Sequence, residues 1–185
     1  MLGRLDDKRP NSNQKNVEGV KIMLRDLEKK LPMAPNFKYK EFVKSETALR
    51  LGIKNEPTEN EWQSIERVAG NILQPVRDKF GPITITSGFR SVELCLAVGS
   101  SAKSNHTRGE AVDFEPVNSD IQLITIIEWL HNNLPYRELI AEYFPNGWIH
   151  AAFRMNKNVG KLKLKDDSHN YSTLSINELL KIYKK

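Results

Sequence analysis

Two histidines and one aspartate in this 185-residue chain stand in patterns that could hold a metal ion. His106 lies in the segment SNHTRGEAVDF, seven positions before Asp113, and Gly109 between them allows a tight turn. His150 lies in a second segment, WIHAAF. Zinc in hydrolases typically takes three protein ligands and keeps a fourth position for water. Each residue alone has an ordinary structural interpretation, so only the combination indicates a metal centre.

Both segments alternate as β-strands do. In Ala111–Glu115, Asp113 points to the face opposite Val112 and Phe114. A carboxylate placed between two large apolar residues is costly in a core unless it is paired or bound to a cation. Trp148–Phe153 alternates in the same way, with its histidine between apolar neighbours.

Strands and helices follow one another without regular alternation along the chain, which predicts an α+β fold. The predicted elements, in chain order, are a helix capped at Thr58, the strand Ile83–Thr86, the strand Ala111–Glu115, a helix over Asp120–Leu134, the strands Glu138–Phe144 and Trp148–Phe153, and a helix capped at Ser175.

We expect the chain to divide into an N-terminal arm (1–35), a main domain (36–155) and a basic C-terminal tail with a terminal helix (156–185). Within the arm, apolar residues from Val17 to Leu31 recur at helical spacing, which predicts a short amphipathic helix. This helix either packs on the domain or docks on a partner.

Composition also limits the classes of function. Cys95 is the only cysteine, so an intrachain disulfide and a cysteine-rich metal site are excluded. No apolar run approaches the roughly 20 residues that span a bilayer, and the N-terminus lacks the apolar segment of a secretory signal. The net charge of +5 suits a solvated basic surface or an anionic polymer. Nucleic acid is not expected, because arginines and aromatic residues are not interleaved.

Three motifs, in order, resemble the M15 family of zinc peptidases. They are SGFRS at Ser87–Ser91, VGSSAKSNHTRGEAVDF at Val98–Phe114 and WIH at Trp148–His150. Two upstream segments, FVKSETALRLGIKNEPT and LQPVRDKFGPI, are similar to the small phage-type branch of that family. The family includes D-Ala-D-Ala carboxypeptidases and phage endolysins that cut peptidoglycan stem peptides. The resemblance implies a hedgehog/D-Ala-D-Ala-carboxypeptidase-like fold, in which a small antiparallel sheet packs with helices.

The same resemblance implies roles for particular residues. His106, Asp113 and His150 match the ligands of a Zn²⁺ cofactor. Arg90 and Ser104 match positions that hold the substrate's backbone and carboxylate, and Arg90 can also stabilise the oxyanion. Arginine suits this role because its guanidinium offers a planar fork of donors.

The resemblance further implies a peptidoglycan peptide as the substrate and a phage origin. The protein is then expected in the host cytoplasm before lysis or in the virion, where the arm could contact virion proteins. Carboxypeptidase and endopeptidase activity both stay open. The competing hypothesis is a structural or binding module of a virion, with catalysis secondary or lost.

The base that activates the attacking water is predicted from loop geometry, because the chain departs from the family pattern at this point. Several family members carry a glutamate three residues before the last histidine ligand, where this chain has Gly147. A three-residue hairpin loop at 145–147 would place Glu142 opposite His150, and Glu142 is therefore the predicted catalytic base. A two-residue turn would place Tyr143 there instead and turn Glu142 away.

Two other glutamates bear on this prediction. Glu115 is the next candidate base if Tyr143 lies opposite His150. Glu138 is four residues further from the turn than Glu142, which predicts a separation of about 13 Å along the strand, too far to reach the metal-bound water.

Overall fold

The computed structural model describes residues 25–184. The helices and strands are, in chain order, β1 (Lys30–Leu31), β2 (Ala34–Lys38), α1 (Glu46–Leu51), α2 (Glu59–Val68), α3 (Gln74–Phe80), β3 (Ile83–Ser87), α4 (Val92–Ala97), β4 (Ala111–Pro116), α5 (Leu123–Asn133), β5 (Glu138–Glu142), β6 (Trp148–Ala152), β7 (Lys161–Lys165), β8 (Tyr171–Thr173) and α6 (Ile176–Tyr183). Short 3₁₀ turns cover Tyr39–Phe42 and Asn105–Arg108, and a π-helical turn covers Ala69–Leu73.

A six-stranded sheet in the order β3-β4-β6-β5-β7-β8 forms the centre of the α+β fold, which confirms the predicted fold class. Neighbouring strands are antiparallel except β5 and β7, which are parallel. The exception follows from the order of the strands. Because β4 already occupies the other edge of β6, the chain leaving β6 must cross to the free edge of β5 and then runs alongside it.

The predicted helix signals form as expected. The Thr58 backbone N–H donates to the Glu61 carboxylate at 2.7 Å, which completes the capping box of α2. The Ser175 backbone N–H donates to Glu178 at 2.7 Å in the same way at the start of α6. The π-helical turn lies just before Pro75, a residue that cannot donate a backbone hydrogen bond inside a helix.

The two faces of the sheet have different surroundings. On one face, apolar side chains such as Val112, Phe114, Ile149 and Leu139 are fully buried and join the core with the helices. The opposite face carries the polar side chains of β4, β5 and β6. Among residues 25–184, no helix combines the length and the apolar composition needed to cross a bilayer.

The start of the described chain differs from the prediction. Lys30–Leu31 is the strand β1, paired with β2, so the helix predicted over these residues is wrong. The stripe positions from Val17 to Leu24 lie outside the described residues. Leu31 is 1% exposed, which shows that the hairpin shares the core of the main domain. Because β7 pairs with β5, Lys161–Lys165 belongs to the six-stranded sheet. The division of the chain into arm, domain and tail at residues 35 and 155 stays a prediction.

Candidate metal centre and cleft

A 3₁₀ turn between α4 and β4 carries His106. The Ser104 hydroxyl caps this turn and accepts a hydrogen bond from the His106 backbone N–H at 3.3 Å, and Gly109 ends the turn with φ of 65°. The His106 ring lies 2.6 Å through Nδ1 from the carbonyl oxygen of Gly88. Because a carbonyl can only accept, Nδ1 carries the proton, and Nε2 is left with a free lone pair.

Asp113 and His150 are direct cross-strand partners on β4 and β6. Their side chains share a face of the sheet, and Asp113 Oδ1 lies 2.8 Å from His150 Nδ1. His106 Nε2 lies 3.2 Å from both of these atoms. Three donor atoms from a loop and two strands therefore converge on one point, and all three residues are buried.

The spacing of these atoms can be compared with that of a zinc site. Zinc bonds to nitrogen and oxygen are about 2.0–2.1 Å long, so two ligands in a tetrahedral arrangement are about 3.3 Å apart. The observed separations of 2.8–3.2 Å are close to that value. Two imidazole nitrogens and one carboxylate oxygen also match the ligand types of a zinc hydrolase. His106, Asp113 and His150 are thus positioned to bind a metal ion.

The charges of the cluster favour a cation. Burial alone would raise the pKa of the Asp113 carboxyl, but the two adjacent imidazoles hold that pKa well below its usual range. Burial lowers the pKa of His106, which keeps its ring neutral. Burial also acts to lower the pKa of His150, but the hydrogen bond and charge of Asp113, together with the charges of Glu142 and Glu138, outweigh burial and raise that pKa. In the metal-free cluster, Asp113 therefore favours a proton on His150, beside the position that a metal ion would take.

A family model described as Peptidase M15 matches residues 35–152, which is more than half of the chain. The chain belongs to the M15 peptidase family. No curated relative matches the chain. The matched segment contains all three candidate ligands of this M15 peptidase and ends before β7 begins.

The two residues predicted to bind substrate also contact the candidate metal ligands of the peptidase. Arg90 donates from Nη2 to Asp113 Oδ2 at 2.5 Å and from Nε to the Ser87 hydroxyl at 2.7 Å. Its guanidinium thus holds the Asp113 oxygen that does not face the histidines. Ser104 caps the turn that carries His106, as described above. Both side chains line the cleft that contains the candidate ligands. Their roles toward a substrate stay predictions.

The predicted register between β5 and β6 is wrong. His150 lies opposite Ile140, and Glu142 lies opposite Trp148. The reason is that β5 ends at Glu142 and β6 begins at Trp148, so the loop has five residues rather than three. Neither Glu142 nor Tyr143 is the direct partner of His150.

Glu142 nevertheless shares the cleft face of the sheet, diagonally adjacent to His150. It is buried and forms an ion pair with Lys165 on β7 at 2.9 Å. The loop also explains the glycine at position 147. A Cβ atom there would lie 1.9 Å from the Glu142 carbonyl oxygen, so this loop leaves no room for the glutamate that some relatives carry at that position.

Glu138 lies much closer to the cluster than the sequence predicted. Its Oε1 atom is 3.9 Å from His150 Nε2, because Glu138 lies diagonal to His150 on the opposite side from Glu142. The expectation that Glu138 lies far from the cluster is therefore wrong, while its distance from a metal-bound water stays a prediction. Glu115 is exposed and lies outside the cleft lining, so it is a poor candidate for the base.

The cluster lies in an open cleft of about 890 Å³. β7 and β8 extend its floor with Lys163, Lys165 and Tyr171. The Lys165 ammonium lies 4.9 Å from the ring centre of Tyr143 and 5.4 Å from that of Tyr171. From the sequence, these residues are expected in a basic tail, although the alternation in KLKLK indicates a strand with its lysines on one face.

Proposed function

We propose that this M15 peptidase uses one zinc ion to hydrolyse a peptide bond in the stem peptides of bacterial peptidoglycan. The observation that carries the proposal is the convergence of His106 Nε2, Asp113 Oδ1 and His150 Nδ1 within 2.8–3.2 Å of one another in an open cleft. A pre-formed set of three ligands in a cleft is the arrangement of a catalytic zinc site, because a fourth position stays accessible.

Zinc at this site supplies Lewis-acid chemistry: it lowers the pKa of a water molecule and polarises the carbonyl of the scissile bond. Glu142 is proposed as the base that takes a proton from the attacking water and then passes it to the leaving amine. Its ion pair with Lys165 keeps its carboxylate in place on the cleft face.

Arg90 and Ser104 are proposed to hold the substrate. Arg90 lines the cleft beside Asp113. From this position its positively charged guanidinium can stabilise negative charge on the reacting carbonyl oxygen. Ser104 is the N-cap of the turn that carries His106 and lines the cleft. Its hydroxyl can reach a backbone group or carboxylate of the peptide from there.

The similarity of the upstream motifs to the small phage-type branch supports a phage-encoded enzyme. Such an enzyme acts either as a free endolysin or within the virion, and in the second case the N-terminal arm is proposed to contact virion proteins. A structural module without catalysis is the alternative. The buried carboxylate of Glu142 beside the ligand cluster favours the enzyme.

Mass spectrometry of digested peptidoglycan tests the proposal, because it names the bond that is cut. The wild-type protein with zinc should release new peptide termini, and a chelator should abolish this activity. Glu142→Gln should retain zinc but lower turnover by about 10²–10⁴-fold, the usual contribution of a positioned acid–base group.

Glu115→Gln is the matched control, since Glu115 is an exposed carboxylate on β4, and it should keep full turnover. A Glu142→Gln protein with wild-type turnover would refute Glu142 as the base. Intact peptidoglycan after incubation with the zinc-loaded wild type would refute the proposed activity.

A further inference from the structure

One ring nitrogen of His150 does not face the other two candidate metal ligands. Its Nδ1 atom faces Asp113 and His106, whereas Nε2 is buried and has no hydrogen-bond partner among residues 25–184. A neutral imidazole that binds a metal through one nitrogen carries its proton on the other. The Nε2–H group of His150 then needs an acceptor, because buried donors in proteins are rarely left unpaired.

The carboxylate adjacent to this nitrogen belongs to Glu138, whose Oε1 atom is 3.9 Å from His150 Nε2. Two neighbours fix the place of that carboxylate. Asn105 donates from Nδ2 to Oε1 at 3.4 Å, and Lys163 Nζ lies 2.5 Å from Oε2. These two contacts keep the Glu138 carboxylate beside the His150 ring. A movement of about 1 Å would shorten the distance from Oε1 to His150 Nε2 to that of a hydrogen bond.

We propose that Glu138 is a positioning residue of the metal centre, and that its carboxylate accepts the hydrogen bond from the Nε2–H group of zinc-bound His150. This interaction fixes the tautomer and the orientation of the His150 ring and makes Nδ1 a better ligand. The proposal rests on zinc as the bound metal, as in the proposed function above.

The neighbours of Glu138 extend this role across the fold. Asn105 precedes the ligand His106, so one carboxylate links the ligand turn with the ligand on β6. Lys163 lies on β7, outside the segment that matches the family model. The support of the metal centre therefore reaches into a part of this chain that the family match does not include.

A positioning role and a role as catalytic base have different consequences. A base can be removed without loss of metal affinity, whereas removal of a group that orients a ligand typically weakens metal binding by about 10–100-fold. Zinc affinity of the full chain, measured by competition with a chromophoric chelator, separates the two roles without any peptidase assay.

Glu138→Leu should weaken zinc binding by about 10–100-fold, because leucine has a similar size but cannot accept a hydrogen bond. Glu138→Gln keeps an acceptor oxygen and should restore most of the affinity. Glu115→Leu, an exposed carboxylate on β4, is the control and should bind zinc as the wild type does. Lys163→Met keeps Glu138 but removes its anchor, and it should cause a smaller loss.

Proton NMR of the zinc-loaded protein gives a second readout. The His150 Nε2–H signal should be downfield and slow to exchange in the wild type and in Glu138→Gln, and absent in Glu138→Leu. Wild-type zinc affinity in Glu138→Leu would overturn the proposal, and so would a His150 Nε2–H signal in Glu138→Leu that is the same as in the wild type. A wild type that binds zinc but cuts no peptidoglycan would refute the proposed function alone, since the effect of Glu138 on affinity would persist.

Discussion

Replacement of Gly109 with alanine tests how the turn that carries His106 is held. Gly109 has φ of +65°, and a Cβ atom there would lie 2.5 Å from the backbone carbonyl oxygen of Glu61 on α2. The left-handed conformation costs about 1–2 kcal/mol for a residue with a Cβ atom. The clash with a helix backbone adds about 1–3 kcal/mol, as overpacking usually does. The expected loss of unfolding free energy is therefore about 2–5 kcal/mol.

Gly52→Ala is the matched control for this prediction. Gly52 has φ of +66° but no atom within 4 Å of the added Cβ, so only the conformational cost of about 1–2 kcal/mol applies. Urea unfolding of the metal-free variants gives both values without a contribution from bound zinc. Gly109→Ala should also bind zinc more weakly, because the turn must move away from α2. Equal losses of stability in the two variants would refute the reasoning.

Two further predictions concern pH and the N-terminal segment. Zinc affinity should fall as the pH drops from neutral to mildly acidic, because the raised pKa of His150 favours a proton at Nδ1 in the metal-free protein; chelator competition across this range measures the effect, and a flat profile would contradict it. Deletion of residues 1–35 should lower the free energy of unfolding by more than the roughly 2–5 kcal/mol expected for Leu31→Ala, since β1 and Ala34 are also lost. Deletion of 1–24 leaves these contacts in place and is the control in the same urea titration.

The ligand strands were predictable because their signal is local. Alternation alone placed Asp113 and His150 on the strand faces opposite large apolar side chains, and the structure shows these strands as neighbours. The capping boxes at Thr58 and Ser175 were likewise visible in four consecutive residues. Features of this kind depend on the period of a strand or on the start of a helix, which the sequence contains directly.

The features that the sequence did not predict depend on register and on long-range pairing. The β5–β6 loop length decides whether Ile140 or Glu142 faces His150, and turn propensities favoured a shorter loop than the one observed. The parallel pairing of β7 with β5 brings Lys163 and Lys165 to the cleft, from a segment that composition alone described as a basic tail. No local pattern specifies such a partner.

Anomalous diffraction at the zinc edge, from crystals of the zinc-loaded full chain, tests the metal centre most directly. We expect one strong peak within bonding distance of His106 Nε2, Asp113 Oδ1 and His150 Nδ1, and no peak at this position in His150→Ala crystals. The absence of a peak between these three atoms in the wild type, or a peak that persists in His150→Ala, would contradict the proposed metal centre.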